Sequence, residues 1–516
     1  MKKIVLAISL LLCYHCVYSQ TIEINDIVTS RFTDINPILS GIDGEVEGYC
    51  AFYMLEKESK GNRLFEFNII SKDLSSSNQT SISIHKNAEV NNVIFNGQYS
   101  LVSVDDRKNK QIKLYILDKA GKIVTEKTIE TDKKRLAAST VFADRTGEGF
   151  YVVSPIDEKK KNGYTLSKVD NKLENIWRIE QTVPKGLKTV SDIISTKNQL
   201  VVWENFENGN KVKPTIISFD PSNGDKRFEY ECYDGTNTLL YNNIRLDEEG
   251  NVFAGGAYVK GEKINGVNNE GVYLLKLTNT GKEGLYTKVN NKENIQEVLK
   301  KTNTSFSLGS KDKVLVEDLI LKDDKIIVVS EMFRKNTNIT PAAVQATRDL
   351  ITGKYVGYAG GGSQPSEKGK VVMDIRDYIF FVFNKEGELE EIQPGLKEDN
   401  NKITCWYPYV NLPGMVLAKQ LHSAGWFDYA FNTLDDNGEV ILICKDNSSG
   451  DKPVVYSFNL TQNYLKNTID LKHQSKLNLE KGKVSYFDVM KNDQGKMVNV
   501  YYQRKLNKIT LTLESI

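Results

Sequence analysis

Residues 405–429 gather the side chains best suited to hold a ligand: Trp406, Tyr407, Tyr409, His422, Trp426, Phe427 and Tyr429. Flat amphipathic rings give a large contact area at low conformational cost, so they could stack on a sugar or grip a peptide. The same rings could instead pack this stretch onto the rest of the fold. Trp406, Tyr407, Tyr409, His422 and Trp426 are carried forward as candidate ligand-binding residues, and no catalytic residue is assigned.

Other chemistries find little support. Beyond the N-terminal leader the histidines are His85, His422 and His473. None lies near another, and none sits in H-E-x-x-H, so no metal site is expected. Serine catalysis calls for a strained elbow such as G-x-S-x-G. Gly309-Ser310 and Gly362-Ser363 lack its second glycine. The stretch GKYVGYAGGG, residues 353–362, lacks the G-x-x-x-x-G-K-[ST] order that seats a phosphate. Asp435-Asp436-Asn437-Gly438-Glu439 comes nearest to a calcium loop, yet its oxygens are needed by a two-strand turn. No cofactor is expected.

The elements that would position such residues are written as a repeated phrase. It is clearest at residues 244–258, IRLDEEGNVFAGGAY. Alternating residues run into Asp247-x-x-Gly250, and a second apolar run follows. Asp bonds the backbone ahead of it and Gly accepts positive φ, so the phrase is an antiparallel hairpin. Related hairpins turn at Asn96-Gly97, Asp118-x-x-Gly121, Asp144-x-x-Gly147, Asp220–Gly224, Thr278-x-x-Gly281, Asn384-x-x-Gly387, Asp435-x-x-Gly438 and Asn492-x-x-Gly495. Others fall near Lys197-Asn198 and Asp323-Asp324, and one around Asp170–Leu173 lacks its glycine.

Four strands recurring about every fifty residues predict an all-β chain, a β-propeller of about eight four-stranded blades, with seven as the alternative count. Trp177 and Trp203 fall at strand positions and read as blade packing. The last unit shows three strands, whereas TIEINDI, residues 21–27, is a strand without a partner of its own. It is expected to complete the last blade and remove an exposed edge.

Residues 20–516 therefore read as a single propeller domain with insertions at 290–315, 335–371 and 398–426. In the first, NKENIQEVLKK spaces Ile295, Val298 and Leu299 like a short amphipathic helix. Residues 1–19 read as a signal peptide: Lys2 and Lys3, an apolar run over 4–12, then Val17-Tyr18-Ser19 for cleavage. The run is too short to span a bilayer, and no later stretch is long and apolar enough to do so. Of Cys50, Cys232, Cys405 and Cys444, the pair Cys405–Cys444 is the one to test for a disulfide, with four half-buried strand thiols the simpler expectation. The 68 Lys and Arg against 67 Asp and Glu leave no electrostatic footprint for nucleic acid.

The phrase at 244–258, with its counterparts at 141–154 and 486–503, resembles the blades of secreted bacterial β-propellers of unknown function. The leader ending Tyr18-Ser19-Gln20 is similar to those of exported Gram-negative proteins. The resemblance implies an architecture, not an activity. The expected role is an exported, non-enzymatic binding or scaffold protein, periplasmic or extracellular, that recognises a protein or glycan partner at the cell envelope. The alternative is a glycan- or peptide-acting enzyme with paired carboxylates near the propeller channel.

Overall fold

The computed structural model describes residues 20–516 apart from 28–33, 41–43, 60, 86–87, 107, 131–138, 159–160, 210, 263–268, 297–311, 338–370, 406–413, 436, 447–453, 463, 472–483 and 485. Eight antiparallel sheets follow one another along the chain as the blades of a β-propeller, so the count is eight, not seven. The blades occupy residues 34–85, 89–130, 140–183, 187–231, 237–290, 312–405, 429–469 and 486–515. The strand Thr21–Ile24 completes the eighth by pairing with Lys508–Ser515, in the register Thr21↔Thr512 to Ile24↔Ile509. The expectation for residues 21–27 holds, and Ile27 adds a backbone bond to Asn507 O at 3.0 Å.

Contacts group the chain into two units. Blades one, two, seven and eight make up the first, residues 1–130, 430–445 and 449–516. Blades three to six lie in the second, residues 131–429 and 446–448.

The turns work as their residue types dictate. Asp118 Oδ1 accepts the N–H groups of Ala120 and Lys122, both at 2.9 Å. Asp435 does the same for Asn437 and Glu439. Where the glycine is missing, Leu173 takes the left-handed conformation itself, φ 63°, and buries its side chain. Asn492-x-x-Gly495 departs from the rule. Asn492 Nδ2 instead donates to Tyr49 Oη at 2.7 Å and Lys72 O at 2.8 Å, and the turn closes by Lys496 N to Asp493 O.

Burial follows strand position. The second strand of a blade is covered on both faces: Val440–Lys445 reads as a near-continuous apolar run and is buried throughout, and Ser100–Asp106 is buried throughout although four of its residues are polar. The outermost strand, such as Ile123–Glu130, keeps a mostly exposed polar face. Trp203 is fully buried and Trp177 nearly so, in agreement with blade packing.

In blade five the inner strand is split into Asn237–Leu239 and Asn243–Leu246, both paired to Val252–Lys260. Gly256 lies opposite the break, where any Cβ would collide with Leu240 O. The chain then forms a single π-turn, Asn291–Ile295, pinned by the fully buried Ile295. Val298 and Leu299 of the expected helix lie outside the described residues. Blade six begins at Asp312, so residues 312–315 belong to its inner strand. Its strand Lys325–Thr337 takes up residues 335–337, and Val371 opens the strand Val371–Asn384. Residues 398–426 hold the strand Asn401–Cys405 and a helix, α1, Gly414–Ser423. Among the described residues Cys50, Cys232, Cys405 and Cys444 are all buried, rather than half-buried, and form no disulfide, so Cys405 and Cys444 are not bridged.

Candidate functional site

Helix α1 is set down by its own sequence. Met415, Val416, Leu417, Ala418 and Leu421 form a broad apolar face. Of these, Met415, Leu417, Ala418 and Leu421 pack in one core with Leu315, Phe333, Met373 and Ile375 of blade six and Ala257 of blade five. The helix ends in a glycine cap: Gly425 has φ 73° and its N–H bonds His422 O at 2.9 Å, while Trp426 N–H reaches back to Leu421 O at 3.0 Å. That pair of bonds fixes the Trp426 backbone, and Asn401 Nδ2 donates to Trp426 O at 2.8 Å. The Trp426 residue remains 47% exposed.

One turn of α1 brings Lys419 and His422 to the same side. His422 Nε2 lies 2.7 Å from Glu317 Oε2; the imidazole is 42% exposed and the carboxylate fully buried. Glu317 gets there because it is the extra residue of a bulge between Val316 and Asp318 in the strand Asp312–Lys322. The adjacent Asn242 and Asn243 donate to Val316 O and Glu317 O. Lys419 Nζ donates to Tyr241 O, at the break in the blade-five inner strand.

Behind this pair is a buried triad. Lys397 donates to Glu331 and to Asp428 Oδ2, the latter at 2.7 Å, and none of the three side chains is more than 2% exposed. Lys397 also stands 4.8 Å from the Tyr378 ring centroid. Asp318 is the next acid along. Its Oδ1 accepts Leu319 N–H at 2.7 Å and Arg245 Nη2 at 2.6 Å, and its Oδ2 accepts Tyr429 Oη. Asp192 repeats the arrangement one blade pair earlier, taking Ile193 N–H at 2.8 Å on Oδ1 and Tyr241 Oη on Oδ2.

Charge and burial set the proton affinities. The Glu317 carboxylate beside His422 holds the imidazole pKa above its ordinary 6.5. Burial pushes the Lys419 ammonium down to about 8. Burial pushes Glu331 up to about 8, against the pull of Lys397. Lys397 is raised: burial opposes its charge, but Asp428 and Glu331 outweigh that. Burial also raises Asp192, against its bond from Tyr241. The cluster is thus an internally neutralised acid–base network of the kind that holds one arrangement of its elements.

The His422–Glu317 pair has a defined pH signature. The folded pKa of His422 is above 6.5, so the stability it adds is full below about 6.5 and is lost as pH rises through the folded value. Lys419 and Glu331 face the same cluster and also titrate as pH rises, so the difference between wild type and His422→Gln isolates the pair. That difference in denaturant midpoint should be largest near pH 6 and shrink on alkaline titration. A difference independent of pH would contradict the ion pair.

Of the residues singled out from sequence, the structure places His422 on α1 and Trp426 just beyond its cap. Trp406, Tyr407 and Tyr409 lie outside the described residues. The His422 ring meets Phe427 edge-on at 5.9 Å. Glu317, Asp318, Glu331, Lys397, Lys419 and Asp428 escaped the sequence reading, because they are scattered between residues 317 and 428. One signal was available: Val190-Ser191-Asp192-Ile193-Ile194 and Val316-Glu317-Asp318-Leu319-Ile320 share Val-x-Asp followed by two apolar residues. Both carry a bulge at x.

Solved structures resemble the chain at low sequence identity. The chain is similar to the β-propeller domain of Nup133 from Vanderwaltozyma polyspora, with 8% identity, TM-score 0.39, and 90% of this chain and 100% of that one covered. It is similar to the β-propeller domain of the Trilobed protease from Pyrococcus furiosus, with 11% identity, TM-score 0.37, and coverage of 86% and 98%. It is also similar to the WD40 domain of SCAP from fission yeast, with 7% identity, TM-score 0.36, and coverage of 95% and 97%. No curated protein matches the chain. A family model matches residues 1–516 from end to end, and the chain belongs to that family, DUF6770, a family of unknown function.

Proposed function

We propose that this propeller is an exported, non-enzymatic binding protein that recognises a partner at the cell envelope through the corner formed by α1 and Trp426. The observation that carries this reading is a large aromatic ring, 47% exposed, on a backbone held by the helix cap and by Asn401. Such an anchor contributes contact area without an ordering cost. The nearby acids favour binding over hydrolysis. Glu331 and Asp428 are buried to 0% and 1% and share Lys397. Glycoside hydrolysis needs two carboxyl groups facing a substrate. Export rests on the leader-like residues 1–19, and the periplasm or the cell exterior is the expected site. The partner is a protein or a glycan.

The test is capture from the envelope of the source cell by the tagged full chain, before and after Trp426→Ala. Two other exposed apolar residues serve as controls, Ile176 (49%) and Leu465 (58%), each changed to Ala. Trp426→Ala should lower the yield of a specific partner about tenfold or more, as loss of an anchor residue does. The controls should leave it unchanged. Equal capture by all variants would refute the assignment of this corner.

A further inference from the structure

A second site shares no lining residue with α1 and lies at one end of the strands of blade five. There a cleft of about 350 Å³ opens between the strands Asn237–Leu239, Val252–Lys260, Asn269–Leu277 and Glu283–Asn290 and the π-turn Asn291–Ile295. Single-turn π segments recur at functional sites. This volume is at the small end of ligand pockets.

Three of its lining residues, Thr236, Asn237 and Lys288, are held by Asp234. That carboxylate accepts Lys288 Nζ at 2.6 Å, Tyr286 Oη at 2.8 Å and the Thr236 and Asn237 N–H groups at 2.9 and 2.6 Å. Asn290 is likewise committed: Nδ2 donates to Tyr258 Oη at 3.3 Å and Oδ1 accepts Glu293 N–H at 3.2 Å. The rim is different. Lys260, Glu270 and Glu293 line the cleft, and among the described residues their charged groups have no hydrogen-bond partner. Asn294 spends its Oδ1 on Asn290 N–H at 2.8 Å and has its amide nitrogen to spare.

Two carboxylates, an ammonium and an amide nitrogen with no hydrogen-bond partner among the described residues therefore line one polar cleft. An anionic ligand would meet Glu270 and Glu293, and a cationic one would meet Lys260. Neutral hydroxyls, which both donate and accept, can satisfy both sets. We propose that this cleft binds a small neutral saccharide. Hydroxyls of the sugar donate to Glu270 and Glu293 and accept from Lys260 and Asn294. The proposal does not depend on the Trp426 corner, and its test does not use it.

The experiment is saturation-transfer NMR on the full chain with maltose, cellobiose, lactose and N,N′-diacetylchitobiose at millimolar concentration, alongside glucuronate and glucosamine. At least one neutral sugar should give transfer. The double variant Glu270→Gln/Glu293→Gln should weaken its binding about tenfold or more, the scale of losing charge-assisted hydrogen bonds. The exposed Glu390→Gln should leave binding unchanged, and thermal melts should show all variants folded. No transfer from any neutral sugar, binding of the charged sugars alone, or undiminished binding by the folded double variant would each overturn the proposal.

Discussion

Lys397→Met should destabilise the second unit by about 3–5 kcal/mol, the usual cost of removing one member of a buried ion pair. The reason lies in what is left behind. Glu331 and Asp428 are 0% and 1% exposed, and Lys397 is the cation that donates to both. Without it, both acids lose their shared cation and hydrogen-bond donor in a place water does not reach. The triple variant Glu331→Gln/Lys397→Met/Asp428→Asn removes all three charges and should regain most of the loss. Urea denaturation of the three proteins reads this directly. A contrast within the first unit sharpens it. Lys445 pairs with Asp488 at 2.8 Å, but Asp488 is 32% exposed. Water can re-cover that carboxylate, so Lys445→Met should cost less than Lys397→Met. If Lys397→Met proved harmless, the triad would not be holding its blade.

Removing residues 20–27 should cost about as much, by another route. Ile24 and Ile27 are 3% and 0% exposed, in one core with Tyr49, Ile70, Val498 and Leu511. Burial of two such side chains is worth about 3–6 kcal/mol together. The deletion also strips the ladder from Lys508–Ser515 and leaves an open strand edge, an invitation to pair with another chain. A lowered melting temperature and concentration-dependent aggregation are expected. A synthetic peptide of residues 20–27 added in excess should reverse part of both. An unchanged melting temperature would contradict closure of the eighth blade by this strand.

The propeller was legible because its turns are local chemistry. Asp247 accepts the Asn251 N–H at 2.7 Å within a stretch anyone can read. The rule even survives loss of its glycine at Leu173, because tertiary packing buries that side chain and tolerates its left-handed backbone. It fails at Asn492, whose amide is drawn to Tyr49 and Lys72, a partnership no window of sequence contains. The acid–base cluster was hidden for the same reason. Glu317, Glu331, Lys397, His422 and Asp428 share no motif and meet only when blade six and α1 pack. His422 was singled out as one of a run of aromatics, whereas its role in the structure is set by Glu317. The cysteines show a mixed case: half-buried strand thiols were the simpler expectation, and the structure has no Cys405–Cys444 disulfide but buries all four thiols, with Cys232 outside the strands.

Two neighbouring features carry separate roles: a buried charge network holds the fold, and the exposed Trp426 ring is the proposed anchor for a partner. Envelope capture with the neutral triple variant Glu331→Gln/Lys397→Met/Asp428→Asn beside Trp426→Ala tests that separation most directly. The triple variant should capture the same partner at the wild-type level, and Trp426→Ala should lose it. Loss of function in a folded triple variant with capture intact in Trp426→Ala would contradict the account and move the chemistry into the acids.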